Sequence, residues 1–313
     1  MTLRALLLSS LILCTGCPTD GGGGSGDDDD DTTPELPQPA PLAETSDGEC
    51  PNTSTSGIST FSSDGLDRKV AVLFPDGDTA DLPIVFFFHG LTTPDQNPVE
   101  NTVNGLNLQG LADSLPAIVI APESRAVQMP LVGEVSLWGI LGDPDPDLVL
   151  FDDLRACAVN ELGGDIRRVN AMGFSGGALW TTQILMSRSD TLASAVEFSG
   201  GAELDVPMDG GPFLLYSSPA EQTPVLMTSG GAQDVWPQGF TIIDFNATTD
   251  TLQGGLRVDG HYAVRCTHEQ GHTVTNADWS FAQEWVTAHE YGIESPYRAD
   301  GIGSEEDHCT VVE

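Results

Sequence analysis

The sequence predicts an α/β fold, a mostly parallel central sheet with helices on both faces, and three observations predict it. Short, nearly continuous apolar runs such as Leu82 to Phe88 (LPIVFFF) and Ala117 to Ala121 have the pattern of strands buried on both faces. Between them, Val103 to Leu115 carries Leu106, Leu108, Leu111 and Leu115 at close to helical spacing, so the unit reads β-α-β, and such a crossover joins parallel strands. Val169, Ala171 and Met172 form a further short strand that passes through Gly173-Phe174-Ser175-Gly176-Gly177 directly into a helix-forming stretch.

At the amino terminus, Met1 to Cys17 carries one charged side chain, Arg4, before the apolar run Ala5 to Leu13. That run is too short to span a bilayer and reads as a secretory signal. Its end, Cys14-Thr15-Gly16-Cys17, resembles the bacterial lipobox, although Cys14 stands where leucine is usual. The resemblance implies that Cys17 carries a lipid and tethers the protein to a membrane of the envelope; the alternative is ordinary cleavage and release. Residues 18 to 49 are acidic and rich in Gly, Asp, Pro and Thr, with few large apolar side chains, so they read as a flexible tether. Residues 50 to 313 are expected to form one domain, about the size a single core supports. Once the export signal is set aside, Cys50, Cys157, Cys266 and Cys309 remain. An even number in an exported chain implies two disulfides, in any of three connectivities, and their spacings are too wide for a CxxC zinc site.

The formal charge of −36 arises from 47 acidic residues against 11 Lys plus Arg, and Lys69 is the sole lysine. Such a surface repels phosphate backbones, which excludes a nucleic-acid partner and fits solubility in a salty habitat.

Along the domain, Lys69 to Phe74 is strand-like ahead of Leu82 to Phe88, which ends in His89-Gly90. Asp143 to Asp147 alternates Asp with Pro; an EF-hand is excluded because the loop's glycine and terminal glutamate are missing, so these acids open a helix over Leu148 to Leu162. Past Ser175, the pattern predicts a helix over Ala178 to Arg188, strands over Ala193 to Phe198 and Pro224 to Thr228, and partial helix in Thr241 to Val258. It then predicts a strand over His261 to Cys266 and an amphipathic helix over Ala277 to Tyr291, stopped by Gly292. No internal repeat and no large lid insertion stands out.

Gly173 to Gly177 has the form G-x-S-x-G between strand and helix, the sequence of a nucleophile elbow, so Ser175 is the candidate nucleophile. The bland reading is a glycine-rich turn with a helix-capping serine. A serine hydroxyl needs a base, and the base an orienting carboxylate. Asp234, past the strand Pro224 to Thr228, and His272, after Gly271 and before the last helix, follow Ser175 in the order Ser, Asp, His. Asp205, after the preceding strand, is the alternative acid. The oxyanion needs two backbone donors, which would be the N–H groups of Leu91 and Gly176, while His89 is expected to buttress the Leu91 loop. Trp138, in SLWG, is a candidate to line the acyl pocket or to anchor a loop in the core.

The pieces FFFHG, GLNLQGLADSLPAIVIAPES, RRVNAMGFSGGALW, PVLMTSGGAQD and GHT with its tryptophan-containing last helix resemble the α/β-hydrolase superfamily. Within it they are most similar to exported feruloyl and acetylxylan esterases and polyhydroxybutyrate depolymerases. The resemblance spans residues 66 to 292. It implies a serine carboxylesterase without cofactor, acting on a small or polymer-linked ester, although GGAQDVW lacks the histidine-glycine pair that often opens the acid loop.

Two other readings compete. His268-Glu269-Gln270-Gly271-His272 matches the zinc-peptidase pattern H-E-x-x-H, with Glu284 or Glu290 available as third ligand. That chemistry needs both histidines on one helix face, and here a turn and a strand precede them and Gly271 interrupts. A non-catalytic envelope binding protein on the same scaffold is the other, against which the intact order of Ser175, Asp234 and His272 argues.

Overall fold

The computed structural model describes residues 36–129, 133–206, 211–237, 241–303 and 306–312. The expected signal segment with Cys17, and the tether up to residue 35, lie outside the described residues.

Among these residues, strands β1 (Gly57–Ser63), β2 (Leu66–Leu73), β3 (Ile84–Phe88) and β4 (Ile118–Pro122) are followed by a hairpin of β5 (Arg125–Met129) and β6 (Gly133–Leu137). Then come β7 (Val169–Phe174), β8 (Ser194–Phe198), β9 (Val225–Ser229), the short pair β10 (Val235–Trp236) and β11 (Ile243–Asp244), β12 (Ala263–Thr267) and β13 (Cys309–Val312). Nine of them form the central sheet, in the order β1-β2-β4-β3-β7-β8-β9-β12-β13. The run from β4 to β12 is parallel throughout, and β1, β2 and β13 are antiparallel additions at its edges.

Helices α1 (Pro98–Gly105), α2 (Leu108–Ser114), α3 (Asp145–Leu162), α4 (Gly176–Arg188), α5 (Phe245–Val258), α6 (Asn276–Ala288) and α7 (Pro296–Asp300) accompany the sheet. The continuous apolar run of β3 has a simple cause. Ile84, Phe86 and Phe88 face a core built with Phe151 of α3 and Leu179 and Trp180 of α4, whereas Val85 and Phe87 face Leu111 of α2 and Phe281 and Trp285 of α6. A third cluster joins Leu252 and Leu256 of α5 to β9 and β12. Burying each of these large side chains contributes about 1.5–3 kcal/mol, and a strand covered on both faces gains that at every position.

Several expectations are corrected. The single helix expected over Val103 to Leu115 is two helices, because the chain turns at Gly105 and at Asn107, whose φ is 51°. The last long helix stops at Ala288 rather than Tyr291. His289 leaves the helix and its buried ring donates from Nδ1 to the Trp285 carbonyl at 2.7 Å, taking the place of the next backbone bond, while Nε2 accepts from Ser295 Oγ. Strands β1 and β13 and the β5-β6 hairpin were not legible in the pattern. Residues 36 to 49, read as the end of a tether, run against the body: Ala40 N–H donates to Asp190 O at 2.7 Å, Arg155 donates to Ala40 O, and Ser46 holds Asp153 by its N–H and Oγ. Backbone groups and short polar side chains dock this segment where composition offered nothing to bury.

Asp147 opens α3 as expected, and it also sits buried between Arg68 and Arg125 and accepts the Gly139 N–H at 2.8 Å. The disulfides are Cys50–Cys157 and Cys266–Cys309. The first fastens the segment ahead of β1 to α3, and the second joins opposed residues of β12 and β13.

Candidate active site

Ser175 stands between β7 and α4 with φ 57° and ψ −122°, a conformation that non-glycine residues avoid. The sharp turn is possible because its flanks lack side chains. A Cβ on Gly173 would stand 2.2 Å from the Gly177 carbonyl oxygen, and one on Gly177 would stand 1.9 Å from the Phe88 carbonyl oxygen. The turn is pinned from β8, where the Phe198 carbonyl accepts the Ser175 N–H at 2.9 Å. Ser175 thus projects at the C-terminal end of the parallel strands.

Three loops at that end meet. Ser175 Oγ donates to His272 Nε2 at 2.8 Å, and His272 Nδ1 donates to Asp234 Oδ1 at 2.7 Å. Asp234 is fully buried, and its Oδ2 accepts from Ser199 Oγ at 2.8 Å and from the Gly230 N–H at 2.7 Å. With both carboxylate oxygens occupied as acceptors, the shared proton sits on His272 Nδ1, which leaves Nε2 free to take the serine proton. The imidazole is clamped between Phe245 (ring centroids 4.4 Å apart) and Phe174 (4.8 Å). Gly271 has φ 71°, and the backbone of Gly230 meets it so closely that a Cβ on Gly230 would stand 2.0 Å from the Gly271 oxygen, which sets the acid and histidine loops against each other. Asp205, the alternative acid, is exposed on the loop after β8.

The two expected oxyanion donors are adjacent: a Cβ on Gly176 would stand 3.1 Å from the Leu91 nitrogen. His89 braces that loop. Its Nε2 accepts the Ser124 N–H at 3.0 Å and its Nδ1–H donates to the Gly90 carbonyl at 2.7 Å, so both ring nitrogens of the neutral form are used. Burial lowers its pKa to about 4. Of the two readings of Trp138, its contacts are those of the loop anchor. It is 2 % exposed, packs on Phe88 and Trp180, and donates its indole N–H to the His89 carbonyl at 2.8 Å.

A cleft of about 450 Å³ opens beside His272, between Leu91 and Thr92 of the donor loop, Leu106 after α1, and Phe174 and Val274. A cavity of about 480 Å³ lies at the other end of the strands, by Tyr262, Tyr291 and Arg298, away from Ser175. Size does not decide between them; of the two, only the first is lined by His272.

The H-E-x-x-H residues lie in the loop from β12 to α6, not on a helix. His272 is engaged with Ser175 and Asp234, while His268 faces Asp278 at 3.5 Å, so the two rings serve different partners. Among the described residues the one group close enough to ligate a metal is Cys266, His308 and Cys309, whose two sulfurs are joined as a disulfide.

Sequence reasoning missed Ser199, which holds Asp234, and the aromatic clamp on His272. For Ser199 a signal existed: Phe-Ser-Gly-Gly occurs twice, at 174–177 and at 198–201.

The fold agrees with solved structures. The chain has the α/β-hydrolase fold. It is similar to pOPH, solved as a complex with DMSO, at 20 % identity and TM-score 0.66, over 84 % of this chain and 95 % of that one. It is also similar to sOPH, at 19 % identity and TM-score 0.65, over 84 % and 96 %. A putative dienelactone hydrolase from Klebsiella pneumoniae is similar at 18 % identity and TM-score 0.53, over 74 % and 98 %. At such identities the likeness is one of fold. No protein-family model and no curated protein matches the sequence. Within the hydrolase fold, Ser175, Asp234 and His272 follow β7, β9 and β12 respectively.

Proposed function

We propose that the chain is an exported serine esterase that hydrolyses a carboxylic ester through an acyl-enzyme. The observation that carries this is the unbroken chain from Ser175 Oγ through His272 to the buried Asp234, at 2.8 and 2.7 Å, on a strained turn beside two backbone amides. Ser175 Oγ attacks the ester carbonyl as His272 Nε2 removes its proton. Asp234 holds the ring and offsets the imidazolium charge, and the N–H groups of Leu91 and Gly176 receive the developing oxyanion. Collapse expels the alcohol, protonated by His272, and water repeats the sequence to free the acid. Every step is met by groups of the chain, so the reaction requires no cofactor.

Purified protein should hydrolyse short-chain aryl esters and take a fluorophosphonate label, and Ser175→Ala should lose both. A wild-type protein that does neither would leave a binding role on this scaffold as the better reading. A panel of feruloyl, acetyl and 3-hydroxybutyrate esters would identify the acyl group.

Export is part of the proposal. The two disulfides suit an oxidising compartment, and no helix among the described residues is long and apolar enough to cross a membrane. Lipidation at Cys17 predicts that Cys17→Ser shifts the protein from the membrane fraction to the soluble one; an unchanged distribution would point to simple release.

A further inference from the structure

Two residues ahead of Ser199 stands an acid with no cation beside it. Glu197 lies on β8, 1 % exposed, paired in register with Gly173 of β7 and Met227 of β9. Its surroundings are neutral on every side. Helix α4 contributes Thr182 and Ala178, the turn after β8 contributes Gly200 and Gly201, and Thr248 and Thr249 of α5 bond to the Gly200 carbonyl. The titratable groups in line with this turn are Asp234, reached through Ser199, and His272 beyond it.

Three contacts around Glu197 form a closed ring. Thr182 Oγ1 lies 2.7 Å from Glu197 Oε1 and 2.9 Å from the Gly201 carbonyl oxygen, and the Gly201 N–H donates to Glu197 Oε2 at 2.9 Å. Thr182 has a single hydroxyl proton. An ionised Glu197 would claim it and leave the oxygens of Thr182 and Gly201 2.9 Å apart with no hydrogen between them. With Glu197 protonated, every contact has its own hydrogen: Glu197 donates to Thr182, Thr182 to the Gly201 carbonyl, and the Gly201 N–H to the other carboxyl oxygen. The turn so held carries the Phe198 carbonyl that pins the Ser175 N–H and the Ser199 hydroxyl that holds Asp234.

We propose that Glu197 is kept as a neutral carboxylic acid and that its ring of hydrogen bonds fixes the turn from Ser199 to Gly201, which makes it a positioning residue for Asp234. The kinetic consequence rests on Ser175, His272 and Asp234 being the triad; the protonation state does not. Burial without a countercharge acts in the same direction, raising the Glu197 pKa to about 8.

Glu197→Gln tests this, because the amide cannot ionise yet can donate to Thr182 and accept from Gly201. Wild-type kcat on an aryl ester should fall reversibly as pH rises through about 8, with KM little changed. Glu197→Gln should keep kcat near neutral pH within roughly twofold and lose that alkaline fall. Stability should vary in the same sense: a carboxyl whose folded pKa is raised contributes fully below its ordinary value of 4.5 and loses that contribution as pH rises to about 8, so the Gln variant should lack this slope in Tm. A direct readout that needs no catalysis is the infrared or carbon NMR signal of labelled glutamate carboxyls in Ser175→Ala protein. A protonated carboxyl at neutral pH that disappears in the Glu197→Gln, Ser175→Ala double variant supports the proposal. An ionised Glu197 at neutral pH, or an alkaline limb that Glu197→Gln leaves unchanged, overturns it. If Glu197→Gln fails to fold, the titration of the labelled Ser175→Ala protein still decides. Hydrolysis that survives Ser175→Ala would sink the triad reading and leave that titration intact.

Discussion

Phe174-Ser175-Gly176-Gly177 after β7 and Phe198-Ser199-Gly200-Gly201 after β8 are the same four residues at the ends of neighbouring parallel strands, with Phe174 opposite Phe198. Both serines take positive φ, 57° and 55°. The two turns lead into different structure. Behind Ser175 the chain enters α4, whose first turn comes so close to β7 that the strand residue must be Gly173. Behind Ser199 there is no helix, and the register position opposite Gly173 holds the side chain of Glu197. One hydroxyl therefore faces His272 and the other faces Asp234. The same tetrapeptide sets both turns, while the element that follows decides what each hydroxyl meets.

The largest effect should separate the two serines. Ser175→Ala is expected to lower kcat by about six orders of magnitude, the scale of removing a triad nucleophile, with the fold intact by circular dichroism. The glycines come next. Gly177→Ala places a methyl on the Phe88 carbonyl and should cost more than about 3 kcal/mol in urea unfolding. Gly200→Ala meets the Glu197 carboxyl at 2.5 Å and Ala178 Cβ at 2.9 Å, side-chain atoms farther off than the backbone oxygen 1.9 Å from a Cβ on Gly177, and should cost less. Equal losses would mean that the turns share their packing after all. Ser199→Ala removes a hydrogen bond to a charged carboxylate, worth about 1.5–3 kcal/mol, so kcat should drop by roughly 10- to 100-fold with KM nearly constant. A Ser199→Ala, Asp234→Asn cycle should then be non-additive, since the hydroxyl acts only through that carboxylate.

The smallest effect concerns the strand on the far side of β7. His89, at the end of β3, is neutral with its pKa lowered to about 4, and His289 is lowered to about the same value. A histidine with a depressed folded pKa contributes stability above its ordinary 6.5 and loses it as pH falls toward about 4. Glu197 acts in the opposite sense above 4.5 and offsets about one of the two histidines, so the fall is cleanest in Glu197→Gln protein; there Tm should fall over that window, and adding His89→Gln should remove roughly half of the slope, leaving the share of His289. An unchanged slope would mean that His89 does not brace the donor loop as a neutral ring.

Much of this was legible in the sequence. The parallel core strands and the helices α3, α4 and α6 were read from apolar periodicity because each buries a regular face. Ser175 and His272 were read from glycine-marked turns next to those elements. The edge strands β1 and β13 were not, since a half-exposed edge carries weak alternation, GISTFSS in β1 and CTVV in β13. The two-helix break at Asn107 escaped because leucine spacing continues across it.

By itself, then, the amino-acid sequence determined which segments alternate as strand and helix, where a strand must turn sharply into a helix, and that four cysteines remain to pair. These are local properties, set by side-chain period and by glycine's missing Cβ. Only the tertiary structure decided that Asp234 and not Asp205 meets His272, that Ser199 holds Asp234, that Cys50 pairs with Cys157, and that Trp138 anchors a loop. The contacts of Asp234, Ser199 and Trp138 depend on which loop ends lie side by side at the C-terminal end of the parallel strands, and the disulfide on where α3 packs against the segment ahead of β1. That proximity is set by strand order and register, and residues 35 or more positions apart in the chain carry no local trace of it.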